Sequence, residues 1–207
     1  SETDRKNTFN TIRWLCEEFK NEKDVGVVIK TNRGRNTIAD RLDCSKMLGD
    51  VLSQIRKGPY PKIYLLHGSL EPEEIQSVYQ NPKIKCLLTA TRGEGWGLPI
   101  LEAAATGLPV IATKWSGHLD FMRNGKFIEL EYDLKDVSDR RIDNRIFMKG
   151  SKWAEVREKD FKRKVRKFYE APHKPKEWAE KLSEKIKNLY SQESINQKYS
   201  ECFSEIP

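Results

Sequence analysis

The sequence has no apolar stretch long enough to cross a bilayer, and a mean hydropathy of −0.74 excludes a membrane span. It opens on SETDRKN, without the apolar h-region of a secretory signal, and a cytoplasmic setting is expected. Cysteine is sparse: Cys16, Cys44, Cys86 and Cys202 are scattered, with no CxxC pair. That spacing argues for reduced thiols and against a cysteine-rich zinc module. HExxH, GxSxG and a GxxxxGK loop ending in Ser or Thr are also missing. Their absence removes the zinc-protease, serine-hydrolase and P-loop readings. No collagen, coiled-coil or low-complexity pattern occurs.

What is present is a chain of 207 residues, long enough to bury a core without disulfides or metal. Charged residues make up 33%, against about 25% in ordinary globular proteins. The net charge of +7 is uneven: residues 149–190 hold 14 Lys and Arg against 7 Asp and Glu, and the remainder balances. A basic segment invites a nucleic-acid reading. Its acids are interleaved and few aromatics are spaced for base stacking. A solvated helix face laced with Lys and Glu is therefore the better reading, and no nucleic-acid partner is expected.

Along the chain, Phe9, Ile12, Leu15, Cys16 and Phe19 recur at helical spacing, predicting a helix over 8–22 capped by Asn7 or Thr8. Residues 25–30 read as a strand, and Leu42, Met47, Leu48, Val51, Leu52 and Ile55 mark a second helix broken by KGPY. A strand over 62–68, an acid-led helix over 71–80, a strand over 85–90, a short helix stopped by Gly107 and a strand over 109–113 follow. This alternation predicts an α/β fold with a Rossmann-like, doubly wound parallel sheet. One further strand is expected over 127–132, and helices from about 153 onward with breaks at 171–175 and near Ser191. A doubly wound sheet begins with a strand feeding its first helix. Only SETDRK precedes that helix, so the first strand is expected to come from another segment or another chain.

The chemistry concentrates between Leu87 and Asp120. A strand ends, Gly93, Gly95 and Gly97 make a turn, and a helix starts near Leu98 with Pro99 in its first turn. Such a turn aims backbone N–H groups at an anion, most often phosphate. Glu94 lies on the turn and Glu102 one turn into the helix. Two carboxylates beside a phosphate site suit sugar or ribose hydroxyls, whose O–H groups they accept. Phosphate flanked by hydroxyl-binding acids describes a nucleotide sugar.

The run EGWGLPILEAAATGLPVIA, from Glu94 to Ala112, resembles the donor-binding half of retaining glycosyltransferases of family 4, whose motif has the form EGFGLxxLEAxAxGxPVIA. Trp96 stands where Phe is usual. Arg5-Lys6-Asn7 resembles the start of that family's first donor-domain helix, KIYLLHGSL its strand and glycine turn near the nucleoside, and WSGHLDFM its GGxxE segment, with Asp120 at the acid position. The resemblance implies the C-terminal half of a GT-B fold. It implies that Glu94 contacts donor-sugar hydroxyls and shapes charge at the anomeric carbon, and that Glu102 accepts from ribose hydroxyls. Backbone N–H groups of Gly95, Trp96, Gly97 and Leu98 would meet the diphosphate, with Lys6 and, more weakly, Arg5. His67 and Gly68 would flank the nucleoside, although a plain strand end fits them as well. His118 reads as structural, His173 has no role, and Arg33 and Arg35 read as solvated loop arginines. Trp14, Trp153 and Trp178 read as core or interface residues.

The same resemblance implies retention of anomeric configuration, with Glu94 and Lys6 as the catalytic residues. The absence of DxD leaves no sign of a metal–diphosphate clamp, so no metal or other cofactor is expected. The expected partners are a nucleotide-sugar donor, a sugar-containing acceptor and an N-terminal acceptor domain or partner chain. GDP-mannose is the favoured donor, ahead of UDP-glucose. Residues 1–175 are expected to form the nucleotide-sugar-binding domain, and 176–207 helices that cross back onto an acceptor half. A nucleotide-sugar epimerase of the same fold, a non-catalytic nucleotide-binding subunit and a basic nucleic-acid-binding module are the alternatives.

Overall fold

The computed structural model describes residues 3–56 and 58–204. Ser1 and Glu2 of the SETDRK start, Lys57 of the KGPY break and the last three residues of the expected tail lie outside the described residues. Helix α1 spans Thr8–Glu18, shorter than the pattern predicts. Neither Asn7 nor Thr8 caps it with a side chain. Asn7 instead sits in the left-handed region. The Asp4 carboxylate reaches over it and accepts from the N–H groups of Thr8 (2.6 Å) and Phe9 (3.2 Å).

Strand β1 (Gly26–Thr31) leads into α2 (Ile38–Ile55), opened by a capping box between Thr37 and Asp40. Strand β2 (Lys62–His67) pairs in parallel with β1, Val27 opposite Ile63 and Ile29 opposite Leu65. Helix α3 (Pro72–Gln80) starts with proline and a Glu71–Glu74 box. Strands β3 (Leu87–Thr89), β4 (Val110–Thr113) and β5 (Ile128–Leu130) form a second parallel sheet with β4 in the middle. Helix α4 (Leu98–Ala105) and the single turn α5 (Leu119–Met122) connect them.

All four residues of β4 are buried, and they alternate between two cores. Ile111 faces Trp14, Leu15 and Phe19 of the α1 segment, together with Phe161, Val165 and Phe168 of α6 (Glu158–Glu170). Val110 and Ala112 face Ile100 and Ala104 of α4, with Leu182 and Ile186 of α7 (His173–Leu189). Helices thus cover both faces of this sheet, the doubly wound arrangement. The expected division at 175/176 falls within the first turn of α7, whose Leu182 and Ile186 are only 2% exposed. Helix α8 (Gln192–Ser204) buries no residue and leaves Tyr199 and Phe203 stacked on each other in solvent.

The expected single strand over 127–132 is two strands. After β5 the chain turns at Glu131, whose N–H donates to Asp160 and whose C=O accepts from the Arg157 N–H. With Glu131 anchored to the start of α6, the chain leaves the parallel ladder. It runs on as β6 (Tyr132–Asp136), antiparallel to β7 (Lys152–Val156). Residues 152–156 are therefore strand and not helix; Trp153, Ala154 and Val156 turn inward. Among the described residues, β1 and β3 each pair along one edge only, and no helix is long and apolar enough to cross a membrane.

Candidate functional site

The glycine turn lies at the C-terminal end of β3, where open α/β sheets place their ligands. Gly97 opens α4 at φ +91°, and a Cβ there would stand 3.1 Å from the His118 Cβ. A side chain is disfavoured on both counts. Trp96 covers this end of α4, with its ring 5.3 Å from Phe121 and 5.9 Å from Tyr190. Among the described residues, the amides of Gly95, Trp96, Gly97 and Leu98 donate to no other main-chain group. They lie at the positive end of the helix, which attracts an anion.

Glu94 is the centre of the site. Its side chain is 8% exposed, and the carboxylate takes Lys6 Nζ at 2.6 Å on Oε1 and Arg5 Nη1 at 3.1 Å on Oε2. Arg5 also donates to the Gly93 carbonyl. Burial pushes the Glu94 carboxyl up, but hydrogen bonds from Lys6 and Thr91, the Lys6 charge and the Arg5 bond outweigh it and hold it below its ordinary value. The main chain of Glu94 is held from elsewhere. Its N–H donates to Ser116 Oγ at 2.7 Å, and its C=O accepts from Gly117 N–H at 3.1 Å. Residues at 5–6, 94 and 116–117 thus meet around one glutamate.

The other predicted residues divide. Glu102 stands on α4 with its carboxyl toward the Tyr79 hydroxyl; burial raises it more than the Tyr79 hydrogen bond lowers it. Burial, with the Glu102 charge and hydrogen bond, pushes the Tyr79 phenol up to about 12. His67 ends β2, in the other sheet, and Gly68 follows it; among the described residues neither makes a hydrogen bond or ion pair to Glu94. The Gly68 N–H donates to Thr31 and its carbonyl accepts from Lys30, while His67 Nε2 is buried without a partner. Arg33 contacts Met47 and lies exposed. Asp120 is exposed in the first turn of α5. His118 is wholly buried: Nε2 donates to the Thr113 carbonyl at 2.7 Å, Nδ1 has no partner, and burial lowers its pKa, so the ring is neutral. Trp14 and Trp153 are core, and Trp178 lines the cleft between α7 and β4.

Two participants are not visible in the sequence. Arg92, 4% exposed, forms a two-point bond to Glu155 of β7 (2.8 and 3.1 Å). It also donates to the Asp4 carbonyl at 2.7 Å and lies 4.8 Å from the Trp153 ring centre. It fastens the segment before α1 and the β6–β7 hairpin to the root of the glycine turn. Ser116 adopts φ +81°, unusual for a residue with a side chain. Neither carries a local sequence signal; both act through partners far along the chain.

The sequence model of glycosyl transferases group 1 matches residues 60–185, well over half of the chain. A curated protein, the sucrose synthase of Melioribacter roseus, is 38% identical over 71 residues, covering 30% of this chain and 9% of that protein. Among solved structures, Anabaena HepE in complex with UDP and glucose superposes with a TM-score of 0.61 at 14% identity, covering 98% of this chain and 47% of HepE. The pneumococcal O-GlcNAc transferase GtfA with UDP and GlcNAc gives 0.55 at 18% identity, covering 97% and 33%. Sucrose-phosphate synthase from Thermosynechococcus elongatus gives 0.58 at 15% identity, covering 98% and 44%. The chain spans less than half the length of each of these relatives. At such identities the structures speak for the fold, while the matched sequence, with the glycine turn and both motif glutamates inside it, places the chain in the glycosyl transferases group 1 family.

Proposed function

We propose that this chain binds the nucleoside-diphosphate sugar of a retaining, metal-independent hexosyltransferase, with the diphosphate at the N-terminus of α4. One observation carries the reading: a nearly buried carboxylate, Glu94, neutralised by Lys6 and Arg5 beside four amides that donate to no main-chain group. Donor binding lets both cations turn to the diphosphate. That frees carboxylate oxygens for hydroxyls of the sugar. As the glycosidic bond breaks, negative charge grows on the leaving phosphate and positive charge on the anomeric carbon. Pre-aimed amides and cations meet the first and Glu94 the second. Glu102 takes the ribose hydroxyls.

A UDP-sugar is the donor we propose in place of GDP-mannose. Two of the solved relatives hold UDP, and nothing favours a guanine nucleotide. The remaining length of those relatives supports a separate acceptor-binding lobe, supplied by neighbouring sequence or a partner chain. The test is calorimetry with UDP-glucose, UDP-N-acetylglucosamine and GDP-mannose, each with magnesium and with a chelator. Tightest binding of a UDP-sugar, equal in both conditions, is expected. Failure of all three to bind sinks the proposal, and binding only with magnesium sinks its metal-independent part.

A further inference from the structure

We infer that Ser116 is a positioning residue whose hydroxyl, carried on a left-handed backbone, fixes the main chain of Glu94 and so sets where that carboxylate meets the donor sugar. The inference rests on the reading of Glu94 given above.

Ser116 departs from what its backbone prefers. At φ +81° a side chain is strained and glycine would be at ease. The chain places glycine at the very next position, so a glycine-bearing loop is within its means. What serine adds is its Oγ, 2.7 Å from the Glu94 nitrogen and accepting its N–H. Glu94 needs such a hold. It is flanked by Gly93 and Gly95, so local sterics restrain its peptides little. Consecutive loop residues, Ser116 and Gly117, instead bind both of its main-chain polar groups. The fit is close: a Cβ on Gly117 would lie 1.8 Å from the Gly95 carbonyl oxygen.

The loop is itself hydrogen-bonded. The buried His118 ring donates to Thr113, and the Leu119 N–H donates to the Ser116 carbonyl at 3.0 Å. Ser116 is therefore a tied-down post from which the Glu94 amide is aimed. Lys6 and Arg5 do not replace it: Lys6 holds only the carboxylate, and Arg5 holds the carboxylate and the preceding Gly93 carbonyl but neither main-chain polar group of Glu94 itself.

The experiment compares the parent protein with S116G, S116A and E94Q, using calorimetry against UDP and UDP-glucose and a thermal melt of each. Both serine variants remove the hydroxyl, and only glycine also relieves the backbone. The gain in affinity from UDP to UDP-glucose is expected to fall about fivefold in both. The S116A midpoint should drop, while that of S116G stays level or rises. A merely structural serine predicts the opposite coupling, with S116G stable and keeping the full gain; that result overturns the inference. E94Q separates the two layers. If E94Q retains the gain, or the parent binds UDP-glucose no better than UDP, the role of Glu94 is wrong. If E94Q loses the gain and S116G keeps it, Ser116 alone is wrong.

Discussion

At the scale of the residue, Glu94 is held twice, by its carboxylate from residues 5–6 and by its main chain from 116–117. The two holds fail differently. Lys6→Ala removes the cation that we propose turns to the diphosphate and should weaken UDP binding about tenfold by calorimetry. Glu94→Ala should abolish transfer in the complete enzyme with a modest loss of nucleotide affinity, measured by product formation and UDP titration. Acid has a defined sign here. The folded Glu94 carboxyl lies below its ordinary value of 4.5, so its contribution to stability is complete above that pH. It is lost as pH falls through the lower folded value. Denaturation curves of wild type and Glu94→Gln should therefore differ most at neutral pH and converge on acidification below 4.5.

At the scale of the element, the glycine turn and α4 were legible because their signals are local. Glycines before a helix, Pro99 in its first turn and Gly107 past its end are punctuation that needs no tertiary context. The β6–β7 hairpin was not. Its strands are joined by fifteen residues and not by a short hairpin turn, and Lys152–Val156 runs straight into the helical pattern of α6. Beyond its own ladder, that hairpin is tied down by an ion pair between residues 63 apart in sequence, the buried Arg92 and the half-buried Glu155, and no periodicity reveals such a pair. Removing one partner leaves the other charge buried. Glu155→Ala should cost about 3 kcal/mol in urea denaturation, with faster hydrogen exchange confined at first to 132–156.

At the scale of the whole molecule, part of the basic segment serves packing. On α6, Lys162 pairs with Glu17 and Glu158, Lys164 with Asp160, and Arg166 with Glu18 and Glu22. Lys162 and Arg166 face the acids in and just after α1 and tie the two helices together. Duplex DNA should accordingly show no binding tighter than about 100 μM at physiological salt, weaker than proteins that use such a face for nucleic acid; fluorescence anisotropy checks this. The same long-range pairing governs when the site can exist. Arg5 and Lys6 reach Glu94 across 88 or more residues of sequence, and Ser116 reaches it across 22. Loops of that length close late, after local helices have formed. In a refolding experiment, competence to bind UDP should return in a slower phase than far-ultraviolet ellipticity. The donor site would then report on completion of the fold, since a chain with all its helices and an undocked residue 5–6 segment has no site to offer.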